Sequence, residues 1–228
     1  MKVLALITAR GGSKRLPGKN MLMLGDKPLI NWSIDIVKGV PYICDILVST
    51  DDLEISMASE RAGALVPWLR PSELANDTAS SVDTVLHGLN WYEQKYGVVD
   101  GVLLLQPTSP FRKRETILKG IDQFIANTPS SVVGVSLAST HPFWCIGVEK
   151  DGYAMPYISG DGLGMRSQDL PKAYAINGAF YLVQPEILRS TKTLYGEKWI
   201  PLIFEGDKEG LDIDTALDWH IAQYFLNK

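Results

Sequence analysis

Four cationic side chains, with no acidic residue among them, follow the first apolar segment of the chain. The segment from Val3 to Ile7 has the length of a buried strand, and it runs into a turn at Gly11 and Gly12. A strand that ends in a glycine turn, with backbone donors and fixed cations, suits a polyphosphate. We therefore predict that this phosphate loop, residues 10–20, binds a nucleoside triphosphate. Its cations are Arg10, Lys14, Arg15 and Lys19.

The phosphate loop matches neither of the two common nucleotide-binding motifs. A Walker motif, G-x-x-x-x-G-K-[ST], would require Gly at position 13 and Ser or Thr at position 20, where the chain has Ser13 and Asn20. The dinucleotide pattern G-x-G-x-x-G is absent from the loop as well. A solvated basic turn is the structural alternative. Ligand binding is favoured because ligands of α/β sheets bind at the carboxyl ends of strands, where this loop begins.

Two carboxylates, Asp212 and Asp214, form a second candidate site. They lie at positions i and i+2 of an extended segment, so both side chains point to the same side. Two carboxylates in that arrangement can share one hard cation through oxygen ligands, as Mg²⁺ prefers. The structural alternative is that Asp214 only caps the helix that follows. The phosphate loop elsewhere in the chain favours the metal site, since a bound polyphosphate needs a metal.

Two further polar segments are expected to face the same crevice. The loop from Arg70 to Ser81 leads into a helix, and its arginine suits a phosphate or a pyrimidine edge, while a serine hydroxyl suits a sugar or base. The alternative is that Ser80 or Ser81 only caps the helix. Gln106 follows a buried strand and is expected to face the crevice, with a proline-rich turn as the alternative.

Alternating strands and helices have to position these groups. Fully apolar runs such as 101–105 indicate buried parallel strands, and apolar residues at helical spacing indicate helices such as 81–96. The alternation predicts one α/β domain over residues 1–228, with a mostly parallel central sheet covered by helices. Predicted strands are 2–9, 45–50, 64–66, 101–105, 131–137, 178–183 and 199–204. Predicted helices are 28–38, 53–62, 81–96, 114–127 and 215–226, the last with Thr215 and Asp218 as a capping box.

One segment, residues 139–174, interrupts this alternation. It contains a hairpin that is predicted to turn at Asp151-Gly152, followed by a glycine-rich polar stretch over 159–167. We call it the excursion, and we expect it to be either a lid or a subunit contact.

Composition argues against several classes of protein. A net charge of −4 and a pI near 5.4 argue against a nucleic-acid binder. No stretch approaches the ~20 apolar residues of a membrane span, and the first apolar run is too short for a signal peptide, so a cytoplasmic protein is expected. Two buried thiols are expected at Cys44 and Cys145. The histidines share no spacing with a nucleophile, and His87 and His220 are expected to be half-buried on helices.

Seven motifs occur in one order across nearly the whole chain. They are A-R-G-G-S-K-R-L-P-G-K-N (9–20), V-S-T-D (48–51), R-P-S-E-L-A-N-D-T-A-S-S (70–81), L-Q-P-T-S-P (105–110), R-S-Q-D-L-P (166–171), N-G-A-F-Y (177–181) and D-I-D-T (212–215). Together they resemble the motifs of the acylneuraminate cytidylyltransferases, the CMP-sialic acid synthetases. A collinear set of this size is far more specific than any one motif.

The resemblance implies a Rossmann-like nucleotidyltransferase fold with helices on both faces of the sheet. It implies that the anomeric hydroxyl of an acidic 2-keto-3-deoxy sugar attacks the α-phosphorus of CTP, which gives the CMP-sugar and pyrophosphate. It also implies that Mg²⁺ is the cofactor, that the excursion is a small β-rich dimerisation segment completing the neighbour's sugar site, and that the protein is a homodimer.

The resemblance also implies roles for individual residues. The residues that it implies for catalysis are Arg10, Lys19 and Arg166. Those that it implies for nucleotide binding are Arg10, Asn20, Arg70 and Ser81. Those that it implies for sugar binding are Gln106, Arg166 and Asn177. The metal ligands that it implies are Asp212 and Asp214.

One departure from the family pattern concerns the sugar. Many members have arginine two positions before the N-G of N-G-A-[IF]-Y, where this chain has Ala175. Sialic, legionaminic and related nine-carbon acids therefore stay open. The enzymatic alternative is the sister cytidylyltransferase of an eight-carbon 3-deoxy-octulosonic acid, which shares R-L-P-G-K, and the non-enzymatic alternative is a nucleotide-sensing module.

Overall fold

The structure is a computed structural model that describes residues 1–227. Within that range the strands are β1 (Val3–Thr8), β2 (Met23–Leu24), β3 (Lys27–Pro28), β4 (Ile43–Ser49), β5 (Gly101–Leu105), β6 (Ser131–Leu137), β7 (Ile146–Val148), β8 (Ala154–Pro156), β9 (Tyr174–Val183) and β10 (Trp199–Ile203). The α-helices are α1 (Leu29–Asp35), α2 (Leu53–Arg61), α3 (Ser81–Tyr96), α4 (Arg114–Asn127), α5 (Pro185–Thr191) and α6 (Ala216–Leu226).

A six-stranded sheet in the order β10-β6-β9-β5-β1-β4 forms the centre of the molecule. Its neighbours run parallel except β9, which is antiparallel to both β5 and β6. The predicted mostly parallel sheet is therefore confirmed. A parallel return to the sheet needs a crossover, usually a helix. The segment between β6 and β9 contains a hairpin and short 3₁₀ turns instead, so β9 runs back against its neighbours.

The core lies on both faces of the sheet, because side chains alternate along each strand. In β1, Val3, Ala5 and Ile7 pack into one apolar cluster with α1, α2 and α4. Leu4 and Leu6 pack into the opposite cluster with α3 and α5. Helices therefore cover both faces, as the family resemblance implies.

A third apolar cluster beside the sheet anchors the last part of the chain. Ile213 is fully buried there with Phe111 and with Ala222 of α6. Since Ile213 separates the two predicted metal ligands, its burial fixes the segment that carries them. The predicted capping box is confirmed, because Thr215 accepts from the Asp218 amide while the Asp218 carboxylate accepts from the backbone of Thr215.

Several predicted details are wrong. The strand over 64–66 is not formed, and Leu65 makes only an isolated bridge to Leu47. The first helix ends at Asp35 rather than at residue 38, because turns lead into Gly39 with φ of 62°. Cys44 is exposed, since β4 is an edge strand, and Cys145 is only partly buried.

Of the two helix histidines, only one has the expected environment. His220 is exposed on α6, so its predicted half-burial is wrong. His87 is half-buried against Trp68, with ring centroids 4.4 Å apart, as expected.

The excursion projects from the sheet between β6 and β9. The predicted hairpin is confirmed: β7 and β8 pair antiparallel around a turn in which Gly152 has φ of 89°. Its side chains include Val148, Tyr153 and Tyr157, each about three quarters exposed at 74%, 74% and 75%. None of the helices in the described part of the chain is long and apolar enough to cross a membrane.

Candidate active site

A cavity of about 570 Å³ opens at the carboxyl ends of β1 and β5. It brings together the phosphate loop, the loop before α3, the turn after β5 and the segment before α6. These are the parts of the chain from which the sequence predicted a common crevice. The predicted site residues that line it are Arg10, Lys19, Asn20, Arg70, Ser81, Gln106, Asp212 and Asp214.

One side chain of the phosphate loop and one from outside it fix the shape of the loop. The Asn20 amide donates to the Arg10 carbonyl at 2.9 Å, and the Gly11 amide donates to the Asp51 carboxylate at 3.0 Å. A Cβ on Gly11 would lie 2.6 Å from the Asp52 carboxylate, so glycine is required for this close approach. A Cβ on Gly12 would meet nothing within 4 Å, so the backbone there is open to a ligand.

Lys19 joins the phosphate loop to the segment before α6. Its side chain is 9% exposed, and its ammonium donates to the Ile213 carbonyl at 2.6 Å and to the Asp214 carboxylate at 3.0 Å. Arg15 forms an ion pair with the other oxygen of Asp214 at 2.9 Å. Because Thr215 caps α6, Asp214 is free of the capping role that the sequence left open.

Asp212 has no ion pair among the residues that the structure describes, and it faces the cavity. Burial raises the pKa of Asp212, the neighbouring Asp214 charge raises it further, and the Thr108 hydroxyl and Lys19 oppose the shift. A cation between the two carboxylates would relieve their repulsion. Residues 1–227 contain no group of three or more His, Cys, Asp or Glu that could hold a metal alone, so substrate or water would have to supply further ligands.

Asp77 is a site residue that the sequence analysis missed. Its carboxylate lies over the phosphate loop, where it pairs with Lys14 at 2.5 Å and with Arg10 at 2.9 Å. Hydrogen bonds from Lys14 and Arg10 hold the pKa of Asp77 below its usual value. Two cations of the loop are therefore already paired with a carboxylate of the protein itself. The sequence signal for Asp77 was an acidic residue in a polar loop. The spacing of residues alone does not show with which cations that residue forms ion pairs.

Arg70 serves as an anchor of the loop before α3. Its guanidinium donates to the Ser49 hydroxyl at 3.0 Å, to the Ser49 carbonyl and to the Leu74 carbonyl. Burial lowers the pKa of Arg70, which Asp51 opposes and Arg10 reinforces. Ser80, not Ser81, caps α3, which leaves the Ser81 hydroxyl available to the cavity.

The predicted sugar-binding residues are only partly brought together. Gln106 lines the cavity, whereas Asn177 is not among the lining residues, and its side chain donates to the Ser136 hydroxyl at 3.0 Å and accepts from the Ala179 amide. Arg166 lies on the excursion, 74% exposed and paired with Asp169 at 2.7 Å. A single chain therefore does not bring Arg166 to the cavity.

Comparison with known proteins identifies the family. The sequence profile of the family described as "Cytidylyltransferase" matches residues 4–144, more than half of the chain. The chain belongs to this cytidylyltransferase family. The cytidylyltransferase is 40% identical over 228 residues to a CMP-N,N'-diacetyllegionaminic acid synthase of Legionella pneumophila, an alignment that covers 99% of this chain and 97% of that protein.

A second relative supports the same assignment, and a solved structure supports the fold. An N-acylneuraminate cytidylyltransferase of Streptococcus agalactiae serotype V is 35% identical over 223 residues, which cover 96% of this chain but only 52% of that protein. A solved CMP:2-keto-3-deoxy-manno-octonic acid synthetase complexed with CTP aligns with a TM-score of 0.72 at 16% identity, over 100% of this chain and 99% of the other. The latter likeness shows the fold. The resemblance seen in the motifs is confirmed, and the chain is an enzyme of the CMP-nonulosonate cytidylyltransferase class.

The ion pairs of Asp77 generate a prediction. We expect Asp77→Asn to tighten CTP binding by about 2- to 5-fold, because a triphosphate would no longer have to displace a carboxylate from Arg10 and Lys14. The gain should shrink at high salt, since the pairs are exposed. Calorimetric titration with CTP in the absence of acceptor measures it.

The matched control for this variant is Asp122→Asn, which removes the same charge from the exposed side of α4. It should leave CTP affinity unchanged. Equal or weaker CTP binding by Asp77→Asn would show that Asp77 does not compete with the nucleotide.

Proposed function

We propose that this cytidylyltransferase transfers CMP from CTP to the anomeric hydroxyl of a nine-carbon α-keto acid sugar. The anomeric oxygen bonds to the α-phosphorus, the bond from the α-phosphorus to the bridging oxygen of the β-phosphate breaks, the hydroxyl proton passes to solvent and pyrophosphate leaves. The observation that carries the proposal is the meeting of the phosphate loop and the Asp212–Asp214 segment in one cavity. It agrees with the names of the full-length relative from Legionella pneumophila and of the streptococcal relative.

CTP is proposed to bind with its phosphates over the phosphate loop. Arg10 and Lys19 are proposed to contact the triphosphate with their positively charged groups. Fixed cationic donors of this kind stabilise the negative charge that develops as pyrophosphate leaves. Asn20, Arg70 and Ser81 are proposed to surround the cytidine. Asn20 and Arg70 are also held by their own contacts with the protein, which would keep them rigid around the nucleotide.

Mg²⁺ is the proposed cofactor, held by Asp212 and Asp214 together with the nucleotide. Two observations support the fit: Asp212 faces the cavity without an ion pair among residues 1–227, and its pKa is raised by burial and by Asp214. When bound, the metal neutralises phosphate charge and helps to orient the reacting groups. Lys19 and Arg15 hold Asp214 in place from the protein side.

A homodimer is the proposed assembly, formed through the excursion. Large exposed apolar patches mark interaction sites in proteins. Arg166 lies on the same segment and outside the cavity of its own chain, so we propose that it reaches the partner's cavity and binds the sugar carboxylate. The exposed apolar residues of the excursion and its flanking strands are Leu137, Ile146, Val148, Tyr153, Met155, Tyr157, Ile158, Leu163, Met165, Tyr174 and Ile176.

A legionaminic acid is the proposed acceptor among the nine-carbon acids. The support is the 40% identity to the Legionella pneumophila enzyme over 97% of its length, and Ala175, which removes a cation from the sugar side. Gln106 and Asn177 are proposed to act on that side. The reaction is proposed to take place in the cytoplasm, where CTP is available.

A panel of acceptors tests the reaction. We expect pyrophosphate release from CTP and Mg²⁺ with nine-carbon acids, highest kcat/KM with N,N'-diacetyllegionaminic acid, and at least about 10-fold less with the eight-carbon acid, because the missing contacts are not replaced. Release with the eight-carbon acid alone would move the enzyme to the sister class. No release with any acceptor would leave only a nucleotide-sensing module.

The metal assignment predicts the effect of one neutral substitution. Asp212→Asn should lower kcat by about 100-fold or more, because it removes a charged ligand at the site of phosphate chemistry. It should also abolish the Mg²⁺-dependent part of CTP binding, measured by titration with and without the metal. Asp207→Asn, on the exposed loop nearby, is the control and should behave as wild type. Normal Mg²⁺-dependent CTP binding by Asp212→Asn would contradict the assignment.

The proposed dimer leads to two predictions, one for the mass of the protein in solution and one for the activity of a monomeric variant. We expect light scattering to give twice the 25.2 kDa chain mass, and Val148→Glu to give monomers, because a charge would replace an apolar contact. Turnover should fall while CTP binding stays, since only the partner's Arg166 is lost. Val98→Glu is the matched control, because Val98 is 78% exposed and lies outside the excursion. A monomeric wild type would contradict the dimer.

A further inference from the structure

Arg112 is a buried cation for which neither the family motifs nor the cavity provide a role. It is 4% exposed and lies two residues before α4. Burial lowers the pKa of Arg112 to about 9, and the charge of Asp212 opposes that shift. The guanidinium is therefore still charged at neutral pH. A buried cation is costly unless its donors are satisfied, so its partners indicate what it holds.

Two of the partners of Arg112 are carbonyl groups on neighbouring segments, one just after β5 and one in β9. In the antiparallel β5–β9 pair, Leu104 is opposite Tyr181, and the same register puts Gln106 opposite Ala179. The pairing does not continue that far. Instead the guanidinium donates to the carbonyls of both Gln106 and Ala179. It lies between the two chain segments and replaces the next rung of the ladder.

Two further hydrogen bonds lock Arg112 in this position. It donates to the Ser109 carbonyl and, at 3.0 Å, to the Ser33 hydroxyl of α1. The planar fork thus reaches the turn after β5, strand β9 and helix α1 at once. Only arginine carries donors in a rigid planar arrangement of this kind.

The gap that Arg112 occupies, between the segment after β5 and strand β9, helps to determine where the side-chain amide of Gln106 lies. Gly178 follows Asn177 in β9, has φ of 72°, and would place a Cβ 2.7 Å from the side-chain oxygen of Gln106. Gln106 is therefore seated against the glycine backbone as it lines the cavity. Two features together set the direction of this amide. The guanidinium lies between the two segments, and residue 178 has no side chain.

We propose that Arg112 is a positioning residue for the sugar acceptor, acting by holding β5 and β9 apart so that the Gln106 amide faces the acceptor. The inference rests on the proposed sugar-binding role of Gln106. The expected effect is on the acceptor, because the proposed CTP contacts come from residues 10–20 and 70–81, and Arg112 donates its hydrogen bonds to other segments.

Steady-state kinetics of Arg112→Lys tests the proposal. Lysine keeps the charge but cannot span both strands, so the KM for the acceptor should rise about 10-fold while the KM for CTP changes less than about 2-fold. Arg114→Lys is the matched control. Arg114 also donates to two backbone carbonyls, those of Lys38 and Gly39, and it lies outside the cavity. The control should change neither KM, even if it lowers the melting temperature.

Two companion variants make each outcome decisive. Gly178→Ala should give the same selective rise in acceptor KM, and it replaces Arg112→Lys if the latter does not fold. Gln106→Ala is the reference. If Gln106→Ala raises the acceptor KM and the other two do not, the Arg112 proposal is overturned while the proposed sugar site stands. If Gln106→Ala has no effect, both are overturned. An equal rise in both KM values for Arg112→Lys would indicate general disruption and also overturn the proposal.

Discussion

The site depends on one buried ammonium group. Lys19 binds the Ile213 carbonyl and the Asp214 carboxylate, and Ile213 itself donates to the Thr108 carbonyl at 2.8 Å. Three segments far apart in sequence therefore meet at one point: the phosphate loop, the turn after β5 and the segment before α6. A lysine held out of water needs these partners, because an unpaired buried charge is strongly destabilising. Displacement of any one of these segments would leave the buried ammonium without a partner and would therefore destabilise the whole site.

Mutual repulsion within the phosphate loop is reduced by two carboxylates from elsewhere in the chain. Asp77 pairs with Arg10 and Lys14, and Asp214 pairs with Arg15 and Lys19. The two carboxylates are not equivalent. Asp77 is exposed and pairs with exposed cations, so its contacts are weak and easily exchanged for a stronger anion. Asp214 contacts a buried lysine, so this ion pair is less easily exchanged than those of Asp77.

Much of the fold could be predicted because its signals are local. The helices at 81–96 and 114–127 and the strands at 101–105 and 131–137 have the predicted bounds, since their apolar periodicity is regular. The direction of β9 could not be predicted, because a strand has the same pattern in either direction. At the site, the motifs identified most of the residues that line the cavity. They did not reveal Asp77 or Arg112, whose partners are set by tertiary contacts, nor that the donors of Arg70 are largely used within the protein.

The two ends of the excursion are paired neighbours in the sheet, since Leu137 of β6 is opposite Tyr174 of β9. The intervening chain therefore leaves and re-enters the framework at a single point. The entropy of closing such a loop grows only slowly with its length. Lengthening, shortening or replacing it need not disturb the register of the strands or the phosphate loop. This architecture allows the excursion to vary in length and sequence while the framework that carries the cavity stays the same.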